Sequence, residues 1–143
     1  MRFFDVDQGC SKGTDMNAFS THASAEQGAI VESGPRALIE ACDGQKVADL
    51  KIAVMPGEHA IDIMPSDSPQ PNRGYTFYSP APGRITLVAE GGHRYVVFVD
   101  FVASSDSPEE GGSGYQWVCY IKDRSSGKKV AWTERLPLSV QPV

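Results

Sequence analysis

A chain of 143 residues, 41% apolar and 22% charged, is long enough to bury a core without metal or disulfide staples and reads as one domain. Its net charge of −5 and pI near 5.1 exclude a nucleic-acid surface, because phosphate binding needs clustered cations and the 13 Lys and Arg are scattered. The same acidity disfavours docking on an anionic membrane, and no run of about twenty apolar residues offers a membrane span.

The first ten residues, Met1-Arg-Phe-Phe-Asp-Val-Asp-Gln-Gly-Cys10, hold no signal-peptide core, because Asp5 and Asp7 interrupt it. Gly9-Cys10-Ser11 resembles the start of a mature bacterial lipoprotein, which makes Cys10 a candidate for lipidation. Asp7 and Gln8 nevertheless stand where a lipobox has small or apolar residues. Gly9-Cys10-Ser11-Lys12-Gly13 also fits the nucleophile-elbow spacing, but that turn works only between a strand and a helix over a parallel sheet, and this pattern has no such helices. Residues 1–33 are expected to be an irregular N-terminal arm, with a short strand at Arg2–Val6 and a capping box at Ser24–Gln27 that Gly28 cuts short.

Residues 34–143 carry the regular pattern. Arg36–Cys42 reads as a strand, Asp43-Gly44 as a turn, and Val47–Val54 as a strand with Leu50, Ile52 and Val54 on one face. Pro56-Gly57 turns the chain into Ala60–Met64, which places Ile61 and Ile63 inward. The proline-rich stretch 65–74 is a loop, and Tyr75–Tyr78 a short aromatic edge strand. Ile85–Glu90 and Tyr95–Ala103 flank Gly91-Gly92, 104–114 is a polar loop, and Tyr115–Lys122 and Lys128–Thr133 flank a turn at 123–127. Leu136–Val143 reads as an extended edge. In Leu50–Met64 and again in Arg84–Phe101, an apolar run meets a Gly-containing turn and a second run follows, the pattern of a β-hairpin. With 14 Gly and 10 Pro between the runs, the expected fold is all-β: an antiparallel two-layer β-sandwich of seven to eight short strands.

The succession Asp43-Gly44, Pro56-Gly57-Glu58-His59, Ala89-Glu90-Gly91-Gly92-His93-Arg94-Tyr95 and Ile121-Lys-Asp-Arg-Ser-Ser-Gly-Lys128 resembles the transthyretin-like (prealbumin-like) β-sandwiches of small bacterial envelope proteins, over about residues 36 to 132. Those domains are often lipoproteins and mostly of unknown function. The resemblance implies an immunoglobulin-like or transthyretin-like sandwich in the periplasm or cell envelope and carries no catalytic residues. With no signal peptide in the chain as read, the cytoplasm stays open.

His59 and His93 each follow a Gly-containing turn and start a strand, so they could converge on a metal with Glu58, Asp62 or Glu90. Tyr75, Tyr78, Tyr115 and Trp132 stand near the loops 65–74 and 104–114, where rigid aromatic faces with polar edges could hold a sugar or peptide. Trp117, with Cys119 and Ile121 at alternate positions, reads as core. Cys42 and Cys119 both fall in strands: they are read as buried thiols, with a cross-sheet disulfide as the other possibility. Residues 75–78 and the C-terminal run offer edges for strand addition, guarded by prolines. No paired carboxylate, nucleophile–base pair, phosphate loop or cofactor fingerprint stands out. The functional expectation is therefore a non-catalytic interaction or accessory module without cofactor, whose partner is a protein or a cell-wall glycan or peptide. A carbohydrate- or peptide-binding module is the alternative, and a metal-dependent enzyme the third reading.

Overall fold

The computed structural model describes residues 10–12, 28–67, 69, 75–103 and 114–142. These contain no helix, and hence none that could cross a membrane, and thirteen strands. The strands are β1 (Cys10–Lys12), β2 (Ala29–Ser33), β3 (Ala37–Cys42), β4 (Gln45–Asp49), β5 (Lys51–Val54), β6 (Gly57–Pro65) and β7 (Tyr75–Tyr78), then β8 (Gly83–Ala89), β9 (Arg94–Ala103), β10 (Tyr115–Asp123), β11 (Lys129–Trp132), β12 (Leu136–Pro137) and β13 (Ser139–Pro142).

A seven-stranded sheet runs β1-β5-β2-β9-β10-β11, with β12 also paired to β10. A four-stranded sheet runs β4-β3-β6-β8, and β7 pairs with β13 in a two-stranded sheet. The period of two decides which side chains go in. On β8, Ile85, Leu87 and Ala89 are buried while Arg84, Thr86 and Val88 face water; on β10, Trp117, Cys119 and Ile121 are buried. The inward sides meet in one core, where Ile39, Ile61, Ile63 and Leu87 of the four-stranded sheet join Val31, Ile52, Val97 and Trp117 of the seven-stranded one. Each such side chain contributes about 1.5–3 kcal/mol relative to exposure.

Several expectations need correction. Neither of the two apparent hairpins is one. β5 pairs with β1 and β2, whereas β6 pairs with β3 and β8 in the other sheet, and β9 likewise lies across the core from β8. Pro56-Gly57 and Gly91-Gly92 therefore carry the chain from one sheet to the other. Alternating runs around a glycine turn satisfy a hairpin and such an arch equally well, and the arch lets both arms bury their apolar sides from opposite directions. The run Val47–Val54 is broken at Leu50, which is 60% exposed, and its halves belong to different sheets. Ala48, inside β4, has a positive φ of 45°, and the register with β3 shifts there as at a β-bulge.

The arm is not irregular throughout. Ala29–Ser33 lies between β5 and β9, with Ala29 and Val31 buried, and it pairs with β9 in parallel, so the large sheet is mixed rather than purely antiparallel. Cys10–Lys12 is paired to β5. The expected strand at Arg2–Val6, the capping box at Ser24–Gln27 and most of the loops 65–74 and 104–114 lie outside the described residues. Cys42 is joined to Cys10, not Cys119, and Cys119 is a buried free thiol.

Candidate functional site

Three places gather chemistry-bearing side chains on the main sheets. The first begins at the hairpin between β3 and β4. Asp43 and Gly44 both have positive φ, 52° and 83°, the requirement of the tight turn their sequence announces. This turn holds the Asp43 carboxylate against β6: Oδ1 accepts the Ala60 amide at 2.8 Å, and Oδ2 lies 2.7 Å from Nδ1 of His59. On its other side His59 Nε2 lies 2.6 Å from the Met55 carbonyl oxygen, which can only accept, so Nε2 carries a hydrogen. Nδ1 therefore faces an acceptor too, and that contact needs a proton or another cation between the two atoms. Beside them runs the Cys10–Cys42 disulfide, with Cys10 Sγ 3.6 Å from Asp43 Oδ2 and 4.0 Å from His59 Nδ1. The ligand-type atoms of Cys10, Cys42, Asp43 and His59 all lie within 4.8 Å of one another, and Cys10, Cys42 and His59 are buried.

His93 is not part of this centre. It belongs to a second group with Glu90 and Asp123, so the expected pairing of the two imidazoles is not what the fold makes. His93 Nδ1 is 2.7 Å from Asp123 Oδ2 and 3.8 Å from Glu90 Oε2, and its ring stacks on Tyr95 at 6.1 Å. The bond to Asp123 holds the imidazole above its ordinary range. Burial pushes the Asp123 carboxyl up, but hydrogen bonds from His93 and the Ser125 amide outweigh it, and the net direction is down. Of the other carboxylates, Asp62 is engaged by Arg84 and does not meet either histidine group.

The third place lies where edge strand β8 of one sheet runs beside edge strand β11 of the other. There an open groove of about 360 Å³ is lined by Arg84, Ile85, Thr86, Val130, Ala131 and Trp132. Trp132 is 66% exposed, whereas Trp117 is fully buried and donates from Nε1 to Ser79 Oγ at 3.1 Å. Arg84 is held flat by a two-pronged bond to Asp62, at 2.8 and 3.1 Å. Next to Trp132 on the outer face, Tyr120 stacks on Phe98 at 5.3 Å, and Lys129 Nζ sits 4.9 Å above the Tyr120 ring.

The four expected aromatic ligands do not form one surface. Tyr115 is half-buried and packs edge-on against Phe77, Tyr78 is 44% exposed on the small β7–β13 sheet, and Tyr75 pairs through its backbone with Pro142. Trp132 pairs with Tyr120, about 17 Å along β10 from Tyr115 at the usual strand rise. Trp132 lines the groove. The Cys10–Cys42–Asp43–His59 centre had no signal in the spacing of its residues, which span positions 10 to 59. Cys10, in a disulfide, has no sulfur free for lipidation in this form. Burial drives the Cys119 thiol up to about 11, which leaves it unreactive at neutral pH. No protein-family model, no curated protein and no solved structure matches the chain.

Proposed function

We propose that this chain is a non-catalytic accessory binding module of the cell envelope, a two-layer β-sandwich of immunoglobulin-like or transthyretin-like type, and that it holds a glycan in the groove at Trp132. The observation that carries the reading is the large, exposed indole at the rim of an open groove, beside the guanidinium–carboxylate pair of Arg84 and Asp62 and the hydroxyl of Thr86. A sugar ring presents an apolar face of C–H groups that stacks on an indole, and hydroxyls in its plane that pair with flat charged donors and acceptors. Oxidising surroundings fit the Cys10–Cys42 disulfide, since such bonds persist in periplasmic and extracellular proteins.

A peptide ligand is the second reading. It is favoured by the groove's position between β8 and β11, each of which has, among the described residues, one paired neighbour in its sheet and so offers backbone groups for strand addition.

One experiment separates the readings. Because Trp117 is buried, iodide quenches Trp132 alone, and a bound ligand shields it. Soluble peptidoglycan fragments and linear oligosaccharides are expected to reduce quenching in a saturable way, and Trp132→Ala to abolish their binding. Protection by peptides but by no saccharide would replace the glycan with the peptide reading, and protection by neither would remove the module reading at this groove.

A further inference from the structure

Two distances within the Cys10–Cys42–Asp43–His59 centre are already close to those of a tetrahedral metal site, and the two sulfurs, bonded to each other here, would part to about 3.8 Å on one zinc ion once reduced. Zinc–sulfur bonds of about 2.3 Å and zinc–nitrogen or zinc–oxygen bonds of about 2.1 Å put a thiolate about 3.6 Å from either light ligand, and the light ligands about 3.4 Å apart. Cys10 Sγ already stands 3.6 Å from Asp43 Oδ2 and 4.0 Å from His59 Nδ1. The Asp43–His59 contact of 2.7 Å would have to open by about 0.7 Å to reach the spacing of two ligands on one zinc ion. The supporting contacts are in place as well. His59 offers Nδ1 to the centre while Nε2–H is fixed to the Met55 carbonyl, and Asp43 offers Oδ2 while Oδ1 is fixed by the Ala60 amide. Such outer bonds set the tautomer and aim of a metal-binding imidazole.

We propose that reduction of the Cys10–Cys42 disulfide converts this centre into a site for one borderline-soft divalent cation of the zinc type, bound by Cys10 Sγ, Cys42 Sγ, His59 Nδ1 and Asp43 Oδ2. Two thiolates, an imidazole and a carboxylate select zinc over magnesium or calcium, which take oxygen ligands. The chemistry balances. A dithiol of the surroundings gives two electrons and two protons to the S–S bond and leaves as its own disulfide, forming two thiols here. The incoming divalent ion then displaces to solvent both thiol protons and the proton held between His59 Nδ1 and Asp43 Oδ2. Asp43, whose side chain is a quarter exposed on the turn, is the entry side, since the other three ligands are buried. The same four residues thus close the β1–β3 junction in both states, by a covalent bond when oxidised and by an ion when reduced. This inference does not depend on the ligand of the Trp132 groove.

The test is a Co²⁺ titration of the full chain, once oxidised and once reduced with a phosphine that does not itself compete as a dithiol. The reduced wild type is expected to bind one equivalent, with a thiolate-to-cobalt charge-transfer band and the visible bands of a tetrahedral ion, all bleached by Zn²⁺. The oxidised protein is expected to show neither. Cys119→Ser should leave the spectrum unchanged, whereas Cys42→Ser should lose the charge-transfer intensity by about half or more and His59→Ala should lose tight binding. Equal Co²⁺ binding by oxidised and reduced wild type, or no tetrahedral spectrum on reduction, would overturn the proposal. Neither comparison requires a variant to fold.

Discussion

Reducing the disulfide without replacing it should cost the protein much of its stability. Cys10 and Cys42 are 32 positions apart, and β1, the strand that carries Cys10, is only three residues long and, among the described residues, pairs with β5. In the chain-entropy relation, cross-linking a loop of that length removes about 12 cal/mol/K from the unfolded ensemble, or about 3.7 kcal/mol at 25 °C. For 143 residues the unfolding entropy is on the order of 300 cal/mol/K, so the loss corresponds to about 12 °C in Tm. The assay is thermal unfolding followed by far-ultraviolet circular dichroism, oxidised against phosphine-reduced, with a chelator present so that no metal substitutes for the bond. A reduced midpoint within about 3 °C of the oxidised one, about 0.9 kcal/mol at that entropy, would show that the bond is not a staple.

Three further outcomes follow from the packing. A Cβ added at Gly34 would stand 2.7 Å from the Val97 carbonyl oxygen, a backbone atom of the central strand β9, so Gly34→Ala should destabilise by about 1–3 kcal/mol in urea unfolding. Ile63→Ala empties a fully buried position in the core and should cost about 2–5 kcal/mol by the same assay. Asp123→Asn should change the pH dependence of Tm. The raised His93 contributes fully below its unfolded value of about 6.5 and loses its contribution as pH rises through its folded value, while the lowered Asp123 contributes above about 3.8 and loses it as pH falls through its own. The wild type should therefore exceed Asp123→Asn most between those limits, and a difference flat in pH would remove the ion pair from the account.

Local chemistry was legible in the sequence, and partner choice was not. Trp117, Cys119 and Ile121 point inward because a strand alternates faces, and Asp43-Gly44 forms its turn because few other dipeptides accept two positive φ angles. The strands around Pro56-Gly57 and Gly91-Gly92 were legible too, but not that each turn changes sheets, since that depends on pairing with β1, β2 and β3, which are not the neighbours of β5, β6 and β9 across those turns. The short run Ala29–Ser33 gives little periodic signal by itself. It becomes a strand because β5 and β9 leave a slot that its Val31 fills. The cysteine–histidine–aspartate centre is a product of that long-range pairing: β1 brings Cys10 to β5, the β3–β4 turn brings Asp43, and β6 brings His59. At the groove, Trp132 was legible as an aromatic on a short strand but not as the one left facing water, because its exposure depends on where β8 ends its sheet.

The most direct test of the binding-module account is a calorimetric titration of peptidoglycan-derived and plain linear oligosaccharides into the wild type and into Trp132→Ala. Trp132 is mostly exposed, so the variant should keep the wild-type Tm within about 2 °C, as surface changes do. The account predicts saturable heat with the wild type and at least a tenfold weaker Kd, about 1.4 kcal/mol, for the variant. Equal binding by both proteins, or no heat from either, would contradict it.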